Sequence, residues 1–142
     1  MADASITVAN VQISADGLTG RGTAGETITQ GMPVYQKASD LRYYKADADA
    51  SLEAATVSGI SLTASSAGQP IIFAVSDPAF SAGFSGSGGV GYGTSATAGK
   101  IAPQSDVTAG WWASVFLVCY GDITSSFALS CSPLLISPQA GA

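Results

Sequence analysis

Ser66-Ala67-Gly68-Gln69-Pro70-Ile71-Ile72-Phe73-Ala74-Val75 sets a hydroxyl residue, an alanine and a glycine directly before a β-branched and aromatic run. Glycine reaches φ > 0 without steric cost and the hydroxyl before it can bond nearby backbone, so the tripeptide ends one strand and aims the next. The run that follows suits a pleated, half-buried surface. The same device recurs at Thr23-Ala24-Gly25, Thr97-Ala98-Gly99 and Thr108-Ala109-Gly110, with strand-like segments downstream at Thr27-Ile28-Thr29 and Val115-Phe116-Leu117-Val118. The turns are unequally spaced and the segments between them differ, so the chain is not a solenoid.

Outward from this stretch, most of the chain reads as short strands. Residues 5–13 are strand-like, with Ile6 and Val8 on one parity and Val11 and Ile13 on the other, and a bulge or bend near Asn10 would reconcile them. A glycine-rich turn over 16–25 precedes strands at 27–29, 33–36 and 41–45; Pro33 suits a strand start because it has no amide to donate. A single helical turn is expected within 47–55, then strands at 57–62 and 70–75. Residues 81–93 carry six glycines and read as a flexible loop with a short strand. Strands at 111–120, 126–131 and 134–137 complete the chain. Many short strands with close turn signals predict an all-β fold, a single small β-barrel or β-sandwich. Residues 1–22 form an arm or first strand with turn, and 23–142 the body.

The 142 residues and 46% hydrophobic content fit one domain able to bury roughly two thirds of its unfolded surface. Charged residues are only 11%, against roughly 25% in an average soluble domain. That leaves small, uncharged side chains that a partner can cover at little desolvation or entropy cost, although a merely soluble domain has the same look. The net charge is −5, and Lys37, Arg42 and Lys45 are diluted by Asp40, Asp47 and Asp49. This is a solvated face, and binding of nucleic acid through phosphates is not expected. Met1-Ala2-Asp3-Ala4-Ser5 has no basic region leading into an apolar core, and the apolar run at 110–120 is too short to cross a bilayer. The expectation is a protein made and kept in a cytoplasm unless it leaves in a larger particle, with no membrane partner. Cys119 and Cys131 then read as buried reduced thiols, although they could face each other if their strands are antiparallel neighbours.

The chain has no histidine, which removes Ser-His-Asp and Cys-His arrangements, histidine bases and nearly all zinc chemistry. Two cysteines far from other soft ligands make no metal site, and a carboxylate pair for glycoside hydrolysis has no further support. Ala98-Gly99-Lys100 ends like a phosphate-binding loop, but Thr94 stands at the first glycine position, Ile101 at the hydroxyl, and Pro103 prevents the helix. Asp47-Ala48-Asp49-Ala50-Ser51 begins like a calcium loop, but Leu52 replaces the turn glycine and Ser58 the bidentate acid. No catalytic residue, cofactor or metal is expected, and function falls to surfaces.

Trp111-Trp112 and Tyr43-Tyr44 are the informative aromatics. Neighbours on a strand point to opposite faces, so if one of each pair is buried the other meets solvent or a partner. Alternatively, both sides of the strand are covered within the domain. With Ile6 and Val8 they form the candidate oligomer or partner interface, since exposed Trp and Tyr offer large area at small entropy cost. A carbohydrate-binding platform would use such rings as well, with polar side chains converging nearby.

Ala24-Gly25-Glu26-Thr27-Ile28, Gly31-Met32-Pro33-Val34-Tyr35, Tyr43-Tyr44-Lys45-Ala46-Asp47-Ala48, Val57-Ser58-Gly59-Ile60-Ser61-Leu62 and Ala67-Gly68-Gln69-Pro70-Ile71 follow one another in an order that resembles the tailed-bacteriophage capsid cement, or head decoration, proteins. Thr97-Ala98-Gly99-Lys100-Ile101 is similar to their later turn. The resemblance spans roughly 23–137 and leaves the segment before Thr23 outside. It implies a small β-barrel or sandwich on the exterior of the expanded icosahedral shell, bridging capsomers, with the major capsid protein as partner. A closed homo-oligomer is implied, a trimer first and a dimer second. The segment 2–13 could then add a strand to a neighbour's sheet edge. The alternative is a carbohydrate-binding β-sandwich on a virion surface.

Overall fold

The computed structural model describes residues 3–120, 126–131 and 135–140. In chain order the strands are β1 (Val11–Gln12), β2 (Leu18–Thr23), β3 (Pro33–Gln36), β4 (Tyr43–Lys45), β5 (Gly59–Ser61), β6 (Pro70–Ala82), β7 (Gly91–Thr94), β8 (Ile101–Pro103), β9 (Trp111–Val115), β10 (Leu117–Cys119), β11 (Phe127–Ser130) and β12 (Leu135–Ala140), with one helical turn, α1 (Leu52–Ala55). Ala2 and Leu134, which belong to the expected arm and last strand, lie outside the described residues. The fold is all-β, as the turn and strand pattern predicts, and takes the form of one curled antiparallel sheet shaped like a half-barrel. A two-stranded sheet, β9 with β12, accompanies it.

β6, which follows the Ser66-Ala67-Gly68 turn, organises the sheet. Gly68 takes φ +87, and Pro70 opens the strand where a missing donor is tolerated. Phe73 and Ala74 pair with both β2 and β5, so these two strands lie on opposite edges of β6. Ser76 pairs with both β2 and β11, which puts β11 on the same edge as β5. That edge therefore changes partner midway, from the β4-β3-β5 group to the β11-β10-β7-β8 group. On the other edge β2 and β1 follow in almost continuous register, Thr23 opposite Pro70 and Val11 opposite Ala82. The residue 22/23 division falls inside β2.

Side chains alternate across strands, and here both faces are used. Along β6, Ala74, Phe80 and Ala82 enter the larger core with Ile60, Leu117, Phe127 and Leu129. Ile71, Phe73 and Val75 enter a second core with Ala24, Ile28 and Val34. The segment between β2 and β3 covers this second core and buries Ile28. The strand expected at 27–29 is accordingly only one bridge, Ile28 with Ser65, because a covering loop has no neighbour along which to extend a ladder.

Two further expectations are corrected. Residues 16–25 are not a glycine-rich turn, since β2 runs through Gly20 and Gly22. A methyl on Gly20 would lie 2.6 Å from Phe73 Cε2, and one on Gly22 2.3 Å from Tyr43 Cε1. The rings fill the space that Cβ atoms would take, so glycine serves the strand here by admitting them. The 5–13 strand shrinks to β1. Asn10 N donates to Thr7 O in a 3-10 turn over Val8–Asn10, and this is the bend that reconciles the two parities.

Between β1 and β2 the chain leaves the sheet, and buried Asp77 holds the excursion. Its carboxylate accepts from Ser14 N at 2.6 Å, from Ser14 Oγ, and from Ala79 N at 2.9 Å. Burial pushes this carboxyl up, but the three hydrogen bonds outweigh it and leave it below its ordinary 3.8. A depressed folded value means that the stabilisation is complete above the unfolded value and is lost as pH falls through the folded one. Asp77→Asn is expected to cost about 2 kcal/mol at neutral pH. The melting-temperature gap to the wild type should close below pH 3.8, and a gap independent of pH would contradict this role.

Candidate functional site

The loop between β3 and β4 joins paired strands, Gln36 opposite Tyr43, with Lys37 to Arg42 between them. Lys37 N donates to Arg42 O at 2.9 Å and Leu41 N to Lys37 O at 2.8 Å, which closes a tight tip. Closure drives Leu41 to φ +59, and it is the one non-glycine residue with positive φ among the described residues. A γ-branched side chain gains nothing there and costs about 1 kcal/mol. Its side chain is also 65% exposed. Strained backbone holding an apolar side chain in water marks a candidate contact point.

The tip is braced from behind. Tyr44 OH donates to Asp40 Oδ2 at 2.6 Å, and Asp40 Oδ1 accepts from Arg42 N at 3.0 Å. The Tyr44 hydrogen bond, followed by that from Arg42 N, holds the Asp40 carboxyl below its ordinary range. Lys37 Nζ stands 5.0 Å over the Tyr44 ring. Ala38 N donates to Glu53 Oε2 at 3.0 Å, tying the tip to α1. α1 is the expected single helical turn within 47–55, capped by Ser51 Oγ, which accepts from Ala54 N at 3.0 Å. Leu52, next to Glu53, is 52% exposed, so a second leucine is displayed on the element to which the tip is tied.

The candidate interface residues do not form one surface. Tyr43 and Tyr44 are both half-buried and both engaged within the chain. Tyr43 lies on Gly22 and 4.7 Å from Phe73, and Tyr44 lies on Gly25, whose added methyl would meet Tyr44 Cζ at 2.2 Å. This corrects the reading of Gly25 as a turn glycine: Gly68, Gly99 and Gly110 have positive φ, whereas Gly25 is needed for space. Ile6 is half-buried against the larger core, while Val8 is exposed on the 3-10 turn. Trp111 and Trp112 are both half-buried on β9. The strand expected at 41–45 starts only at Tyr43, and nothing in the sequence sets Leu41 apart, because leucine is not a turn residue and its backbone is set by hairpin closure.

The N-terminal segment is tied to its own chain. Ser95 Oγ donates to Asp3 Oδ1 at 2.6 Å, Ala4 N to Ile101 O at 2.8 Å, and Thr7 N to Gly83 O at 2.8 Å. Within one chain, these contacts and β1 hold the described part of the 2–13 segment against its own sheet. Cys119 and Cys131 are buried and form no disulfide. Cys119 is on β10 and Cys131 directly follows its antiparallel neighbour β11, and the register sets Cys119 opposite Phe127. Burial pushes the Cys131 thiol up to about 12 and also raises Cys119, so little thiolate forms at neutral pH. Among the described residues no cluster of acids and thiols suits a metal ion, and no helix is long and apolar enough to cross a membrane.

No family model matches the chain, and no curated protein matches it significantly.

Proposed function

We propose that the chain is a structural virion protein that decorates the outside of an expanded phage capsid and stabilises it by bridging capsomers. The observation that carries this reading is the order of the turn-and-strand motifs from Ala24 to Ile101, which resembles the capsid cement proteins. The all-β architecture agrees with that order, and the scarcity of charge suits a surface made to be covered. The partner is the major capsid protein, and the copies form a closed ring, trimeric first and dimeric second. Weak individual contacts add up because each bound copy raises the effective concentration of the next. The braced tip at Leu41, with Leu52 on the adjoining α1, is the contact we assign to the shell. The virion exterior is the expected location, after synthesis in a host cytoplasm.

Co-sedimentation with expanded and unexpanded shells of the encoding phage tests the proposal: binding to expanded shells is expected, and binding to neither removes it. Leu41→Gly separates contact from fold. It relieves the left-handed strain and should raise stability by about 1 kcal/mol, read as a higher melting temperature, while weakening shell binding. Unchanged binding would remove the tip from the interface.

A further inference from the structure

We propose that the cleft between the N-terminal segment and the glycine-rich loop binds an uncharged, polyhydroxylated ligand, a neutral oligosaccharide. The cleft holds about 690 Å³, inside the roughly 300–1,000 Å³ span of small-ligand sites. Ser5, Thr7, Asn10 and Gln12 line one wall, and Ser85 and Ser87 line the other; all six are exposed. Among the described residues, none of these six side chains hydrogen-bonds within the chain. Their backbone is used instead: Asn10 O accepts from Ser81 Oγ at 2.6 Å, Thr7 N donates to Gly83 O, and Ser87 N donates to Tyr92 OH at 3.0 Å. The walls are thereby fixed while their hydroxyl and amide ends stay open.

The chemistry of the lining selects the ligand. Among the described residues no Asp, Glu, Lys or Arg lines the cleft, in a chain that carries ten acids. A phosphate or carboxylate would lose water there without gaining a counter-charge, and a cation would find no carboxylate. Hydroxyls and carboxamides both donate and accept, which matches a ligand covered in hydroxyls. The base is aromatic: buried Tyr92 and half-buried Phe84 meet edge-on at 5.2 Å and 68°. Phe84 also packs 4.8 Å from Phe127, so the ring is held from below and its remaining surface can take the C–H face of a sugar. An extended peptide adding as a strand is disfavoured, because the wall backbone at Thr7, Asn10 and Ser87 is already bonded. This site is separate from Trp111 and Trp112, and the inference does not depend on capsid binding.

The test is a glycan array printed with neutral, sialylated and sulfated oligosaccharides, probed with the full chain, with titration of any hit. Binding to neutral glycans in preference to acidic ones is expected. Asn10→Ala/Gln12→Ala should weaken it about tenfold or more, the loss of one to two hydrogen bonds, with the melting temperature unchanged. Should that pair disturb folding, Ser85→Ala/Ser87→Ala on the opposite wall is expected to do the same. No bound glycan, a preference for acidic glycans, or hits unaffected by both wall variants would overturn the proposal. So would loss of binding on Trp112→Ala alone, which would move the site to β9.

Discussion

Gly93→Ala is expected to destabilise the fold by about 3 kcal/mol, the upper end of ordinary overpacking. A methyl built on Gly93 lies 1.8 Å from the Ser114 carbonyl oxygen. Gly93 is on β7 and Ser114 on β9, so this is where the small second sheet meets the large one. The obstruction is backbone, and it cannot turn aside as a side chain can. Gln104 Nε2 also donates to that carbonyl at 2.8 Å and fixes it further. For a chain of this size the cost corresponds to a fall in melting temperature of about 10 °C. Gly91→Ala, two residues earlier on β7, is the control: its methyl would meet only side-chain atoms, the nearest being Val115 Cγ1 at 3.2 Å and Gln104 Cγ at 3.5 Å, and the cost should stay within about 1 kcal/mol. Equal losses in the two variants would show that helix or strand propensity, and not the approach of the sheets, governs both.

Phe127→Ala should cost about 3–5 kcal/mol, the range for truncating a buried aromatic. Phe127 is fully buried on β11, opposite Phe80 on one side and Cys119 on the other. Its ring stands 4.8 Å from Phe84 and 5.8 Å from Tyr92, the latter at 84°. The remaining shell is rigid sheet, which collapses poorly into the void left by the ring. Chemical denaturation at constant m-value would measure the loss. Phe127→Leu refills part of the volume and should recover more than half of it, whereas no recovery would mean that the aromatic contacts, not the volume, carry the stability. Because Phe127 supports Phe84, the same variants report on the base of the neutral cleft.

The turns at Gly68, Gly99 and Gly110, Pro33 and Pro70 at strand starts, and a strand within 126–131 were legible because each depends on residues within a few positions. β3 falls at its expected residues, and α1 inside its expected stretch. β2 was not legible: its glycines read as a turn until Phe73 and Tyr43, distant in sequence, are seen to occupy the missing Cβ space. The candidate tip was half legible. Tyr44 was flagged for its size, yet it acts as a brace through Asp40, while Leu41 gained its strained, exposed position only from hairpin closure. The cleft was invisible, since its walls lie about seventy residues apart in the chain.

By itself, then, the sequence determined strand-forming content, the places where the chain turns, and a surface poor in charge, because these follow from local backbone preference and side-chain type. Only the tertiary structure decided which glycines turn and which admit a ring, how β6 exchanges partners along one edge, and which uncharged side chains face one another across a cleft. Those outcomes depend on the approach of segments far apart in the chain, and approach distances are set by packing.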